Sequence, residues 1–159
     1  MDRLYTPWRY AFIHGERPEG CIFCAKLSMS DEDGLIVHRG THAYVCLNTF
    51  PYNNGHVMVV PHAHVGSLAE LDRDIANEIM ALTQESERVL KTVYQPDGIN
   101  LGANLGKAAG AGVADHVHMH VLPRWNGDGN FMTTVAETRV LPEELRTTWR
   151  RMREGFGNA

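Results

Sequence analysis

Several features are scarce in this chain, and each scarcity excludes something. Three cysteines in 159 residues cannot build a disulfide framework. No apolar run approaches the roughly 20 residues of a membrane span, and the opening MDRLYTPWRY lacks the apolar core of a secretion signal. Together these absences predict a cytoplasmic protein with no membrane partner. A basic stripe is missing too: 15 Lys and Arg stand against 19 Asp and Glu, the net charge is −4, and the cations are scattered. That argues against a dedicated nucleic-acid partner. A charged small molecule remains compatible, because a pocket needs only local positive potential from amides, helix ends or histidines. Internal repeats and low-complexity segments are also absent.

The length and the 43% apolar content suit one domain over residues 1–159 with a real core, an N-terminal segment 1–30 that carries Cys-x-x-Cys, and a C-terminal segment and helix over 131–159. Ala43–Leu47 and His56–Val60 read as strands joined by the turn-forming Pro51-Tyr52-Asn53-Asn54-Gly55, which predicts an antiparallel pair. From Ser67 the period changes. Leu68, Leu71, Ile75, Ile79, Leu82, Val89 and Val93 mark one long amphipathic helix, with Ser67 and Glu70 as its capping box and Pro96-Asp97-Gly98 as its stop. Ile99–Ala103 and His116–Leu122 are further strands. Leu141–Phe156, opened by Pro142-Glu143-Glu144, is a C-terminal helix. The expected class is α+β, mostly antiparallel sheet with one long helix and a C-terminal helix.

Residues 116–120 read HVHMH. On a strand, His116, His118 and His120 share one face while Val117, Met119 and Val121 turn to the core. A helix would set His118 opposite the other two, and Pro123 would crowd its end. At the strand rise, the α-carbons of His116 and His120 lie roughly 13 Å apart, too far for both to bind one ion. A division of labour along the row fits better, for instance one ligand, one nucleophile and one phosphate contact. Upstream, the run from Gly102 to Gly112 is rich in small residues and serves either as a plain turn or as an anion-binding nest. It is not a Walker loop, because only three residues separate Gly102 from Gly106 where such a loop has four, and Ala108 has no hydroxyl. Cys21-Ile22-Phe23-Cys24 taken alone leaves metal binding, redox chemistry and a bland thiol pair open. Cys46 reads as a buried thiol, and His14, His38 and His42 as surface or packing residues.

The stretch Gly110-Ala111-Gly112-Val113-Ala114-Asp115-His116-Val117-His118-Met119-His120-Val121-Leu122-Pro123-Arg124-Trp125 resembles the signature of the histidine triad (HIT) superfamily of nucleotidyl hydrolases and transferases. The likeness extends to Leu4–Arg9, the Cys21/Cys24 pair, Leu47-Asn48 with Gly55-His56, Pro61–His64, Asn104–Gly106 and Trp125–Phe131. It is most similar to the bacterial branch that includes diadenosine tetraphosphate phosphorylase-like proteins. The resemblance implies a HIT-like fold and an enzyme that cleaves a nucleoside polyphosphate at the α-phosphorus through a covalent nucleotidyl-histidine. A dinucleoside polyphosphate such as diadenosine tetraphosphate is the favoured substrate, with water or phosphate as acceptor. A phosphoramidate or aminoacyl-adenylate hydrolase, and a nucleotide-binding module with little turnover, are the competing readings.

Residue by residue, the resemblance makes His118 the nucleophile and His120 a phosphate contact. It sets Asn48 at the ribose, His56 in or behind the nucleotide pocket, Asn104 near the α-phosphate, and Gly110, Ala111 and Gly112 along the phosphates. The transferase branch carries Gln at the third triad position, so His120 points to the hydrolase or phosphorylase side. Where many of the hydrolases carry Gln or Ser after the loop glycine, this chain has Ala111 and Gly112 in a loop one residue longer, so backbone amides would replace side-chain contacts. Zinc-containing members take two ligands from a Cys pair, one from Pro-x-x-His and one from the first triad histidine. Here these are Cys21, Cys24, His64 and His116, with His62 an alternative to His64. A divalent cation accompanying the polyphosphate is compatible with this chemistry. A homodimer is implied by the resemblance, and Trp125–Asp128 is left as a lid, a contact to a neighbouring subunit, or ordinary packing.

Overall fold

The computed structural model describes residues 20–129 and 143–158. His14, the N-terminal part of the Cys-x-x-Cys segment before residue 20 and the C-terminal segment 131–142 lie outside the described residues. Helix α1 (Ile22–Lys26) is followed by strands β1 (Ile36–Arg39), β2 (Ala43–Leu47) and β3 (Val57–Pro61), then the long helix α2 (Arg73–Tyr94). Strands β4 (Gly98–Gly102) and β5 (Met119–Arg124) and helix α3 (Leu145–Gly157) follow among the described residues. The five strands form one antiparallel sheet in the order β1-β2-β3-β5-β4. None of the described helices is long and apolar enough to cross a membrane.

Strands β2 and β3 are buried at every position because both faces of the sheet are covered. Ala43, Val45, Leu47, Val57, Val59 and Val121 pack under α2 and α3, against Ile79, Leu82, Val89, Leu90, Met152 and Phe156. The alternate residues Tyr44, Cys46, Met58 and Val60 form a second cluster with Phe23 of α1 and Ile36. On α2 the buried positions Ile79, Leu82, Thr83, Ser86, Val89 and Leu90 recur at helical spacing. Thr83 and Ser86 donate their hydroxyls to the carbonyls four residues back, at 2.7 Å each, so two polar residues are buried without loss. Glu143 ties α3 to α2: it accepts from Tyr94 Oη, Thr148 Oγ1 and Arg151. Burial raises the Glu143 carboxyl, but those hydrogen bonds and the Arg151 charge outweigh it and hold the group below the usual range.

Strand β1 and helix α1 were not expected from the sequence. The four residues of β1 are too few to show a period, and α1 spans five. The long helix starts later than its capping box suggests. Ser67 and Glu70 do form the box, but it closes a single 3₁₀ turn over Leu68–Glu70, after which Leu71 and Asp72 are extended. Helix α3 is described from Leu145, with Glu144 at its N-cap position. His38, Cys46 and His42 match their expected roles: His38 stacks on Phe156 at 5.3 Å, Cys46 is fully buried and His42 is exposed.

A Cβ at Gly155 would stand 2.6 Å from Val89 Cγ1 and 2.9 Å from Val93 Cγ2, whereas one at Gly157 meets nothing within 4 Å. Helix propensity favours alanine by about 1 kcal/mol at either position, but overpacking costs about 1–3 kcal/mol. Gly155→Ala is therefore expected to lower the midpoint of thermal unfolding, and Gly157→Ala to leave it unchanged or raise it, as read by circular dichroism.

Candidate active site

The three histidines enter the sheet from a segment that precedes β5. The regular ladder begins only at Met119, opposite Val59, with His120 opposite Met58. Before it, the Val117 amide donates to the Val65 carbonyl at 2.7 Å, so the chain is held by the 61–66 segment rather than by β3. The expected strand from His116 is therefore shortened by three residues at its start. The side chains nonetheless stay in a row: the His118 and His120 rings lie 4.8 Å apart, and Phe23 packs against both His116 and His118, at 5.4 and 4.8 Å. His116 and His118 are buried and His120 is half-buried.

A neutral imidazole has one N–H donor and one lone pair, so each fixed partner decides what the other nitrogen can do. His118 Nδ1 lies 2.9 Å from the carbonyl oxygen of His116. A carbonyl only accepts, so Nδ1 carries the hydrogen and Nε2 is left with a lone pair. In His116, Nε2 lies 2.9 Å from the Pro61 carbonyl, which puts the hydrogen on Nε2 and the lone pair on Nδ1. For His120 the argument runs through a neighbour. The Tyr52 amide donates to His56 Nδ1 at 3.1 Å, so His56 carries its hydrogen on Nε2 and donates it to His120 Nδ1 at 2.9 Å. His120 is thereby left with a donor at Nε2. Burial lowers the His118 imidazole below its ordinary range, with the His116 carbonyl opposing. Burial and then the His118 charge bring His120 down to about 4. Both lowered rings favour the neutral form near pH 7, one with a lone pair at Nε2 and the other with a hydrogen there.

Next to this row, Cys21, Cys24, His64 and His116 offer ligand atoms that all lie within 4.8 Å of one another. Cys21 Sγ is 3.3 Å from His116 Nδ1, and Cys24 Sγ is 3.2 Å from His64 Nδ1 and 3.6 Å from His116 Nδ1. Four ligands around one tetrahedral zinc stand roughly 3.4–3.8 Å apart, so the cluster is already the right size. The chemistry fits as well: two thiols, and in His116 a lone pair on the nitrogen that faces them. Burial, then the hydrogen bond and charge of Cys21, raises the Cys24 thiol. A divalent cation bound there would remove that repulsion by stabilising both thiolates. The cluster assembles because α1 carries Cys24 just after Cys21, while Tyr44 Oη pins the Phe23 carbonyl at 2.8 Å. His64 joins from the 61–66 segment, where the Ala114 carbonyl stands 3.0 Å from where a Cβ on Gly66 would sit. His62 is elsewhere, stacked on Tyr44 at 6.1 Å.

The other expected contacts are gathered less completely. Asn48 lies beside His56, with Nδ2 3.5 Å from its Nδ1, and Asn48 Oδ1 accepts from the Phe50 amide. Asn104 lies in the exposed loop between β4 and the triad, with Gly110, Ala111 and Gly112 further along it. Within that loop the amides of Ala109 and Ala111 donate to the Gly106 carbonyl, and that of Gly110 to Lys107. Those three amides close the loop on itself, which tells against a nest built from them. Trp125 meets Tyr94 edge-on at 6.3 Å, the packing alternative among those left open for it. Two site residues were not anticipated: Tyr52, whose amide sets the His56 tautomer, and Phe23, packed against His116 and His118. Neither belongs to a spacing pattern.

A family model described as HIT domain matches residues 30–127. The chain belongs to the HIT family. An AP-4-A phosphorylase from Mycobacterium tuberculosis is 42% identical to it, over 94% of this chain and 82% of that one. Among solved structures, a zinc-bound histidine triad family protein from Mycobacterium smegmatis superposes with a TM-score of 0.69 at 27% identity, covering 87% of this chain and 94% of its own. A hypothetical histidine triad nucleotide-binding protein from Sulfolobus tokodaii gives 0.70 at 26%, covering 87% and 93%. The α+β sheet with its long and C-terminal helices is thus the HIT fold.

The three tautomers are open to measurement. Long-range nitrogen-proton correlation spectra at pH 7 are expected to show His118 protonated on Nδ1 and His120 on Nε2. A His118 protonated on Nε2 would contradict the carbonyl-directed assignment.

Proposed function

We propose that this HIT nucleotide hydrolase or phosphorylase cleaves a dinucleoside polyphosphate, diadenosine tetraphosphate first, at the α-phosphorus through a covalent nucleotidyl-His118. The observation that carries the reading is the 2.9 Å hydrogen bond between His118 Nδ1 and the His116 carbonyl, which leaves the Nε2 lone pair for attack. The kinship with an AP-4-A phosphorylase supports the choice of substrate.

In the first step Nε2 forms a bond to the α-phosphorus as the anhydride P–O bond breaks, and the departing nucleoside polyphosphate keeps the electron pair. Positive charge that develops on the ring is met by the His116 carbonyl at Nδ1–H. His120 Nε2–H donates to a phosphoryl oxygen, with Asn48, His56, Asn104 and the Gly110–Gly112 backbone around the rest of the nucleotide. In the second step an acceptor oxygen attacks the phosphorus, the P–N bond breaks and its electron pair returns to Nε2. With water the acceptor's proton leaves to solvent. With phosphate as acceptor, diadenosine tetraphosphate yields ADP and ATP; with water it yields AMP and ATP.

Cys21, Cys24, His64 and His116 would hold one zinc. A closed four-ligand zinc supplies a cross-link and no reactive position. The likeness to a zinc-bound relative supports this site. A symmetric homodimer belongs to the same proposal. Among the described residues strand β4 ends the sheet with an exposed edge, which suits pairing with a second copy.

His118→Asn is expected to keep fold and nucleotide binding while lowering turnover of diadenosine tetraphosphate by at least ~10³-fold, since losing a nucleophile can cost as much as about 10⁶-fold. Product chromatography with and without phosphate separates the two acceptors, and undiminished turnover by the variant would remove the nucleophile from the scheme. Elemental analysis of chelator-free protein should return about one zinc per chain, and Cys24→Ser should lose both the zinc and thermal stability. Protein without stoichiometric zinc would exclude the four-ligand site.

A further inference from the structure

The turn after β5 carries a polar cluster that the scheme above does not use. Arg124 grips Asp128 with two parallel hydrogen bonds, Nε to Oδ2 at 2.6 Å and a terminal nitrogen to Oδ1 at 2.7 Å, and its other terminal nitrogen reaches Asn100 Oδ1 of β4 at 2.8 Å. Two-point pairing of this kind fixes orientation as well as distance. The Asp128 carboxylate is 14% exposed and also accepts from the Trp125 amide at 3.2 Å. The guanidinium beside it holds the carboxyl far below the usual range, with burial opposing and the Trp125 and Asn53 hydrogen bonds helping.

The fourth hydrogen bond on Asp128 leads to the active site. Asn53 Nδ2 donates to Asp128 Oδ2 at 2.8 Å and to the Pro123 carbonyl at 3.1 Å. The Asn53 carbonyl accepts from the His56 amide at 3.2 Å. The residue before it, Tyr52, gives its amide to His56 Nδ1, and His56 donates in turn to His120 Nδ1. The 48–56 turn is thus held at Asn53 to the end of β5, and its amide at 52 sets the tautomer of the ring that sets His120.

We propose that Asp128 is a positioning residue for the histidine triad. Clamped by Arg124, it anchors Asn53 and so holds the 52–56 turn in the shape that makes His56 a donor to His120, which leaves His120 Nε2–H as the donor to substrate. This rests on the reading of His118 and His120 given above, yet its first readout is independent of turnover. The link from Asp128 to the 52–56 turn is the Asn53 side chain.

The test uses the full chain and two variants, Asp128→Ala and Asn53→Ala, each checked for fold by circular dichroism. Nitrogen-proton spectra at pH 7 report the His120 tautomer. Both variants are expected to convert His120 from one Nε2–H form into a mixture, while His118 keeps its Nδ1–H signal. With diadenosine tetraphosphate, kcat should fall by about ten- to a hundredfold, the order expected when reacting groups shift by a fraction of an ångström to an ångström, with KM changed less. Joining Asp128→Ala to Asn53→Ala should add little to either alone. If one variant fails to fold, the other carries the same readouts. A folded variant with an unaltered His120 tautomer and unaltered kcat would overturn the proposal. A shifted tautomer in an enzyme whose His118→Asn form still turns over would instead overturn the nucleophile assignment and leave the positioning role standing.

Discussion

Each neutral imidazole offers one hydrogen and one lone pair, and in this protein the backbone carbonyl of His116 decides how His118 spends them. The same residue offers its Nδ1 toward two thiols and its Nε2–H to Pro61. One buried residue therefore joins the thiol cluster, β3 and the neighbouring imidazole. Because His116 is completely buried, any shift of its ring is opposed by the packing around it. The geometry of His118 is inherited from that rigidity.

The sheet makes the rigidity available. With α2 and α3 on one face and α1 with its loop on the other, β2 and β3 are enclosed, and β5 lies between β3 and β4. The triad projects on the face that carries α1, where Phe23 fills the space between His116 and His118. The small helix thus has two tasks, since it brings Cys24 toward His64 and also supplies the apolar wall that depresses the imidazole proton affinity. The helix-covered face is left to ordinary apolar packing, with Thr83 and Ser86 satisfied within α2.

Particular residues show why some of this was legible beforehand. Alternation in HVHMH gave a shared histidine face, because a pleated backbone has a period of two whatever surrounds it. The period of α2 survived for the same reason, while its start did not. A capping box is a local signal, and it is satisfied equally well by one 3₁₀ turn. Strand β1 left no readable mark, because four residues paired, among the described residues, with one neighbour need no pattern of their own. The amides of the Gly106–Ala111 turn looked available to an anion, and the fold turned three of them inward.

The sequence by itself determined the residue types and the local periods: imidazoles on alternate positions, two thiols three apart, a helix-length apolar stripe, and enough family likeness to name the chemistry. Tertiary structure alone decided the protonation of each ring and the company it keeps. His56 reaches His120 across 64 positions of chain, and Cys21 reaches His116 across 95. Contacts of that range depend on how strands register and which loop packs against which, and no local pattern encodes them. The duty of each histidine is therefore a property of the folded sheet.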